Sequence, residues 1–473
     1  MKTSARRRGS IWFVCQPILL NAFSVPVTAF IFYRLGQFHL GEWATAASLI
    51  AATSFVSNLG LRTIFVRDLA QQTEHEESLV AAQLGLRLLL SVAAGTIALC
   101  VCALVHYSPV ITACVLVNFI GMVLSTIASV FMDVMQARQR FTDISRVNLA
   151  AGVLLTLASL LAVMRSTSPI LLSFSYLLGP VISVAVFGAL VSRSITIRPD
   201  WDRNRHRKLL HQIRSLAANL TLATLQERIE QLVVPRLVGV AEFGLFTGGS
   251  MPADRLGIVP DGLATVYYPI IARTHSNEPK NTTKPVEQLF TISLISAITV
   301  STLITFLARP ISILIFRHNA NLYQPIIQLT IWALPLQSVA LSVVYALQAA
   351  GQHAEAARRN AVSSITSIVI SLLLIGKLHL VGACVSLLLK PLITASAVLP
   401  MFTRTFPGCW SRLPLTRIAI SFGAMVLVLL LTDRLVHHGI WIDATVGAVA
   451  ATGVLVLALV CTRLVTRELL SEL

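Results

Sequence analysis

Ionisable residues lie inside stretches of this chain that are otherwise apolar. The stretch LATLQERIEQLVVPRLVG contains Glu227 and Arg228, the stretch GGSMPADRLGIVPDG contains Asp254 and Arg255, and Lys390 precedes a proline in a third. A shielded guanidinium or ammonium group attracts phosphate and other anions, and a shielded carboxylate pairs with a cation. This excess of buried cations predicts a cavity that suits an anionic ligand.

Two interpretations of these charges stay open. Arg228 and Asp254 are equally distant in sequence from Ala241, the centre of a predicted turn, so they are expected at the same depth and could pair. Arg255 and Glu227 could pair in the same way. The alternative to a structural ion-pair cluster is a site for substrate or a coupling ion.

Three further arginines lie near predicted helix ends. Arg62, Arg67 and Arg87 are within about two turns of a membrane surface. Long side chains at such positions reach the headgroups, so we favour snorkelling over ligand binding for these three residues.

The elements that carry these residues are predicted to be membrane-spanning helices. The 473-residue chain is 55% hydrophobic and only 12% charged, far from the composition of soluble domains. Apolar windows recur along its whole length, which predicts an all-α integral membrane protein with about fourteen spans. We expect Pro252, Gly257 and Pro260 to deform one of them. The predicted spans are residues 11–33, 43–66, 81–105, 110–134, 147–164, 170–191, 216–238, 243–268, 289–315, 322–349, 361–377, 381–402, 418–435 and 444–464.

Loop charges predict the orientation. Most lysines and arginines fall in alternate loops, beginning with the tail MKTSARRRG, and such loops are cytoplasmic. Both termini are then cytoplasmic. The net charge of +16 is explained by topology, and nucleic-acid binding is not expected.

The chain contains traces of a duplication. Two hairpins, one near the beginning of each half of the chain, share residues at a constant separation in sequence. This repeat predicts two six-helix lobes that enter the membrane in the same direction, a parallel repeat. The predicted organisation is an N-lobe at 1–192, a basic cytoplasmic linker at 193–215 with an interfacial helix at 203–214, a C-lobe at 216–403, and two additional helices with the C-terminal tail at 404–473. The matched pairs include Arg34 with Arg236, Leu35 with Leu237, Gly60 with Gly262, and Leu61 with Leu263.

Catalytic motifs are missing from the sequence. It contains no phosphate-binding glycine loop, zinc-ligand spacing or nucleophile elbow, and its seven cysteines show no paired pattern. We therefore predict a transporter rather than an enzyme, without a cofactor or metal.

Long motifs resemble those of polysaccharide exporters in the multidrug/oligosaccharidyl-lipid/polysaccharide (MOP) flippase superfamily. LGQFHLGEWATAASLIAATSFVSNLGLRTIFVRDLAQ is similar to the first hairpin of these exporters, and RIEQLVVPRLVGVAEFGLFTGGSMPADRLGIVPDGLATVYYPIIAR to the matching hairpin of the second lobe. ARPISILIFRHNANLYQPIIQLTIWALPLQSVALSVVYALQAAGQ is similar to their ninth and tenth helices. The resemblance covers nearly the whole chain.

The resemblance implies a flippase that moves an undecaprenyl-pyrophosphate-linked oligosaccharide across a bacterial inner membrane by alternating access. It implies substrate-binding roles for Arg228, Arg255 and Lys390, and secondary ones for Arg62 and Arg67. Asp254 and Glu227 are the candidates for an ion-coupling role. The expected partners are the anionic lipid-linked oligosaccharide, membrane lipids and polysaccharide assembly proteins.

Three alternatives stay open. A multidrug antiporter of the same superfamily typically has an acidic residue in its first helix, and residues 11–33 contain none. A lipid II flippase also has fourteen helices, but the arginine-rich start that is characteristic of its first helix is absent from this sequence. A polysaccharide polymerase or ligase would bring a long outer loop, and the predicted outer loops are short.

Overall fold

The computed structural model describes residues 2–62, 65–66, 69, 76–193, 195, 198–278, 281–316, 319–409, 414–435 and 440–461. The regular elements in these residues are helical, as predicted. In chain order they are α1 (Lys2–Asn58), α2 (Glu76–Val105), α3 (Pro109–Ala137), α4 (Phe141–Arg165), α5 (Pro169–Tyr176), α6 (Leu178–Val191), α7 (Arg203–Leu237), α8 (Val240–Leu256), α9 (Ile258–Asn277), α10 (Thr283–Phe316), α11 (Ala320–Thr330), α12 (Ala333–Ala349), α13 (His353–Thr405), α14 (Leu415–Leu435) and α15 (Ile440–Cys461).

Helices coincide with each of the predicted spans. Eight segments of the described chain are long and apolar enough to cross a membrane. Two of them, Leu19–Ser57 and His353–Thr405, have 39 and 53 residues, which exceeds the roughly 20 residues that one crossing needs. Each is divided by a sharp kink, at Gly36 (φ 68°) and at His379 (φ 52°). The first overlaps the predicted spans 11–33 and 43–66, and the second contains the spans 361–377 and 381–402.

Other helices are interrupted where the sequence is unfavourable for a continuous helix. The predicted deformation at Pro252, Gly257 and Pro260 is confirmed, because α8 ends at Leu256 and α9 begins at Ile258. Pro260 has no N–H for the carbonyl group four residues earlier, and its ring would clash with that group. The break therefore follows directly from the sequence.

Helix α7 joins two segments that the sequence analysis separated. The basic stretch at 203–214, predicted as a separate interfacial linker helix, forms the first turns of the same helix that contains the predicted span 216–238. The side chain of Asp202 caps its start by accepting a hydrogen bond from the Asn204 N–H at 2.9 Å. The basic segment and the predicted membrane segment are thus parts of one continuous helix.

The chain divides into two compact units, Met1–Thr247 and Gly248–Leu473. In the first, α1 packs against α2, α3, α4 and α7, and α6 packs against α3 and α4. In the second, α10 and α13 both pack against α12, and α14 pairs with α15. The division into 1–192, 193–215, 216–403 and 404–473 stays a prediction, and α7 lies in the first unit.

Each unit has its own apolar core. In the first unit one core cluster contains Phe65, Phe131 and Phe187, and in the second unit a cluster contains Phe290 and Phe402. Large apolar side chains also lie on the outside, as expected for helices whose solvent is lipid. The most exposed include Leu104, Leu161, Leu314, Ile420 and Val449.

Candidate functional site

Two deeply buried charges of the first unit, Arg87 of α2 and Asp133 near the end of α3, form a cluster with Arg62. Asp133 of α3 is fully buried and lies between two arginines. Its Oδ2 accepts a hydrogen bond from Arg87 Nη1 at 2.9 Å, and its Oδ1 lies 2.9 Å from Arg62 Nε. Asp133 therefore connects the turn after α1 to α2.

Arg87 is held inside the protein. Only 1% of its side chain is exposed, its Cζ lies 5.8 Å from the centre of the Phe65 ring, and its Nη1 also approaches Ser129 Oγ at 3.4 Å. Among the described residues, Arg87 Nε and Nη2 have no hydrogen-bond acceptor. The expectation that Arg87 snorkels is wrong, because Asp133 supplies a counter-ion within the helix bundle.

Arg62 is the accessible member of this cluster. Its side chain is 42% exposed, and its Nη2 donates a hydrogen bond to Gln136 Oε1 at 2.8 Å. Two guanidinium groups, those of Arg62 and Arg87, contact the Asp133 carboxylate. The Arg62 guanidinium lies where an anion can reach it, and Asp133 would keep Arg87 as a partner if Arg62 turned to a ligand.

The charged stretch of α7 has distinct sides. Glu227 is exposed, and Arg228 is half-buried and donates a hydrogen bond to Gln231 Oε1 at 2.8 Å. Glu230 is only 1% exposed. This side of α7 therefore packs against protein.

The candidates in the second unit lie on α8 and α13. Asp254 is exposed and accepts a hydrogen bond from Ser250 Oγ at 3.4 Å, and Arg255 beside it is half-buried. Lys390, on α13, is 8% exposed. Arg228 belongs to the first unit and Asp254 to the second, and the pairing between them stays a prediction.

Exposed carboxylates inside predicted spans indicate which surfaces are wet. A charge at the centre of a bilayer costs about 2.5–3.5 kcal/mol when it faces lipid. Glu227 on α7, Asp254 on α8 and Asp261 on α9 are all exposed within predicted spans. We infer that these sides of the two units border water or a polar ligand rather than acyl chains.

Sequence reasoning missed part of this arrangement. Arg67 lies outside the described residues. Neither Asp133 nor Asp261 was selected, although an aspartate inside an apolar span is by itself an indication of function. Asp133 sits in VFMDVMQ and Asp261 in VPDG, so this rule could have found both.

The family described as "Polysaccharide biosynthesis protein" matches residues 35–283, more than half of the chain. No curated protein matches the sequence.

Solved transporters share the fold at low identity. A structure titled lipid II flippase MurJ, in an inward closed conformation, matches with a TM-score of 0.76 at 13% identity, covering 96% of this chain and 98% of that one. An inward-facing MATE multidrug resistance transporter of the MOP superfamily has a TM-score of 0.63 at 13% identity, with 85% and 99% covered. The eukaryotic MATE transporter AtDTX14 has a TM-score of 0.59 at 11% identity, with 86% and 99% covered.

These matches confirm the predicted all-α membrane fold and the resemblance to polysaccharide exporters. The matched structures are named as transporters or flippases and not as enzymes. The chain is a multi-pass membrane protein that belongs to the polysaccharide biosynthesis protein family and has the fold of MOP-superfamily transporters.

Proposed function

We propose that this protein is a flippase that moves an undecaprenyl-pyrophosphate-linked oligosaccharide from the inner to the outer leaflet of a bacterial inner membrane by alternating access. The observation that carries the proposal is the accessible positive charge of Arg62 beside the buried Arg87–Asp133 pair, in a chain whose family is described as acting in polysaccharide biosynthesis. A pyrophosphate group is an anion that such a charge attracts.

The cluster suggests how a headgroup is held without creating an isolated buried charge. Arg62 exchanges its contact with Asp133 for a phosphate oxygen, while the Asp133 carboxylate stays neutralised by Arg87. The Nε and Nη2 groups of Arg87 can then donate to the carboxylate oxygen from which Arg62 has moved away. In this proposal Arg62 binds substrate, and Asp133 and Arg87 position it.

The remaining candidates serve the same headgroup or the driving ion. Arg228, Arg255 and Lys390 bind the pyrophosphate or acidic sugars during translocation, with Arg67 as a secondary contributor. Asp254 and Glu227 bind a coupling proton or sodium ion. Both termini are cytoplasmic, as the loop charges predict.

Two other cargoes compete with this proposal. A multidrug antiporter is supported by the fold shared with MATE transporters, and a lipid II flippase by the fold shared with MurJ. Both similarities are at 13% identity, so neither of them identifies the substrate of this chain. An enzyme that polymerises or ligates polysaccharide is the weakest alternative, because the sequence has no catalytic motif.

The test is a gene deletion with rescue by variants. We expect the deletion to accumulate lipid-linked repeat units on the cytoplasmic side, and the wild-type gene to clear them. Arg62→Ala is expected to restore about a tenth of the wild-type flux or less, because it removes a charge-assisted bond to phosphate. Arg228→Ala is expected to reduce flux, with partial recovery for Arg228→Lys.

The matched control is Arg140→Ala. Arg140 has nearly the same exposure as Arg62, 43% against 42%, and pairs with Asp143 in the first turn of the helix that follows it. The Arg140→Ala variant should restore the full wild-type flux. Intact surface polysaccharide in the deletion strain, together with raised drug sensitivity, would instead favour the antiporter.

A further inference from the structure

A carboxylate and two tyrosine rings meet on the second unit. The Tyr345 hydroxyl of α12 donates a hydrogen bond to Asp261 Oδ1 of α9 at 3.1 Å. The rings of Tyr345 and Tyr268 are perpendicular, at 88°, with centroids 6.3 Å apart. We call Asp261, Tyr268 and Tyr345 the tyrosine platform.

Helix α9 has two exposed sides of opposite character. At 100° per residue, Asp261, Thr265 and Tyr268 fall within about 60° of one another, and the exposed apolar residues lie on a separate sector. The apolar sector suits lipid. The sector with the exposed Asp261 does not, so the tyrosine platform faces water. The exposed apolar residues are Val259, Val266 and Ile270.

Charge restricts what the platform can bind. Asp261 repels phosphate, so the platform does not suit the pyrophosphate end of a lipid-linked sugar. An ionised carboxylate has about four acceptor positions, and Tyr345 takes one of them. The others suit hydroxyl donors, and the half-buried tyrosine rings offer flat apolar surfaces beside them. This combination matches a pyranose ring, with hydroxyls at its edge and C–H groups on its face.

The platform is also held in place. The Tyr345 hydroxyl fixes the Asp261 carboxylate, and Thr265 Oγ1 donates a hydrogen bond to the Asp261 carbonyl oxygen at 2.8 Å. The two rings come from different helices that pack against each other. Polar groups with fixed positions favour recognition of a defined arrangement of hydroxyls.

We propose that the tyrosine platform binds a neutral sugar ring of the translocated glycan. This inference rests on the proposed function and assigns the glycan, rather than the pyrophosphate, to α9 and α12 of the second unit. Its main rival is an organic cation, which a carboxylate beside aromatic rings also attracts.

The experiment uses the full-length protein in lipid nanodiscs and saturation-transfer NMR. The probes are the methyl glycosides of glucose, N-acetylglucosamine and rhamnose, with tetraphenylphosphonium and inorganic pyrophosphate as separate arms. We expect at least one glycoside to bind and its ring C–H protons to be saturated. Asp261→Asn should weaken binding about ten-fold, since a bond to a charged acceptor is lost. Tyr268→Ala should abolish it.

Two further variants make the result interpretable. Tyr345→Phe keeps the ring and removes only the hydroxyl that fixes Asp261, so it should weaken binding without unfolding the protein. Glu278→Gln removes an exposed carboxylate at the end of the same helix, where it accepts a hydrogen bond from Asn281, and should leave binding unchanged.

The platform proposal and the headgroup proposal would fail on different results. The platform proposal fails if no glycoside binds, if the three platform variants bind glycosides like the wild type, or if only the phosphonium binds in an Asp261-dependent manner. Pyrophosphate binding that does not depend on Arg62 would contradict the headgroup proposal alone. Glycoside binding through Asp261 would survive that result.

Discussion

Asp133 contacts two guanidinium groups of different accessibility. The buried partner is Arg87, and the accessible partner is Arg62. A buried pair becomes costly when one member is removed, whereas a half-exposed contact contributes little to stability. The three residues should therefore respond differently to substitution.

We expect Asp133→Leu to destabilise the protein by about 3–5 kcal/mol, because Arg87 would remain charged and buried without a counter-ion. The double variant Asp133→Leu with Arg87→Met should recover most of that loss, since apolar residues can replace a buried pair. The measurement is the thermal unfolding midpoint of the purified protein in detergent. If the double variant is no more stable than the single one, the two residues are not energetically coupled.

Arg62→Ala should change the unfolding midpoint little, because its contact with Asp133 is worth about 1 kcal/mol or less at this exposure. Loss of transport with unchanged stability would indicate substrate binding by Arg62. Loss of both in parallel would make the cluster a purely structural feature.

At the scale of elements, two glycines let helices α1 and α8 approach each other within the first unit. A Cβ atom at Gly41 would lie 1.8 Å from the Val240 carbonyl oxygen, and one at Gly244 would lie 1.8 Å from the Gln37 carbonyl oxygen. A backbone carbonyl group in a helix cannot move aside as the end of a flexible side chain can. The close packing of these helices therefore depends on the absence of side chains at both positions.

Gly41→Ala and Gly244→Ala should each destabilise the protein by about 1–3 kcal/mol through overpacking. Gly376→Ala is the control, because that glycine is also helical but nothing lies within 4 Å of its added Cβ. It should be neutral or stabilise by about 0.5–1 kcal/mol through its higher helix propensity. Thermal unfolding checks all three, and equal midpoints would show that the two helices separate without cost.

At the scale of the whole molecule, orientation follows from loop charges. Alkaline phosphatase is active only outside the cytoplasm, so it reports the side of the membrane to which it is fused. We expect activity for a fusion after Tyr107 and none for fusions after Gln139 or at the C-terminus. Activity in the reverse pattern would invert the predicted topology. Activity at the C-terminus as well as after Tyr107 would mean an odd number of crossings.

The shared fold shows how little identity this architecture needs. The MurJ structure matches at a TM-score of 0.76 with 13% identical residues. Lipid requires each span to satisfy its own backbone hydrogen bonds, and many apolar sequences meet that requirement. The all-α membrane fold was predictable for this reason.

The sequence by itself determined the helices, the break between α8 and α9, and the family. Each depends on local properties, namely hydropathy over about 20 residues, proline and glycine chemistry, and motifs within one hairpin.

Only the tertiary structure decided which charges meet. Arg87 and Asp133 are 46 residues apart, and Tyr345 and Asp261 are 84 apart. Their contacts depend on the rotation of each helix about its axis and on its depth, which packing between helices fixes. Hydropathy constrains neither quantity closely, because a shift of one residue rotates a side chain by about 100°. For that reason Arg87 was expected at the membrane surface but is buried beside Asp133.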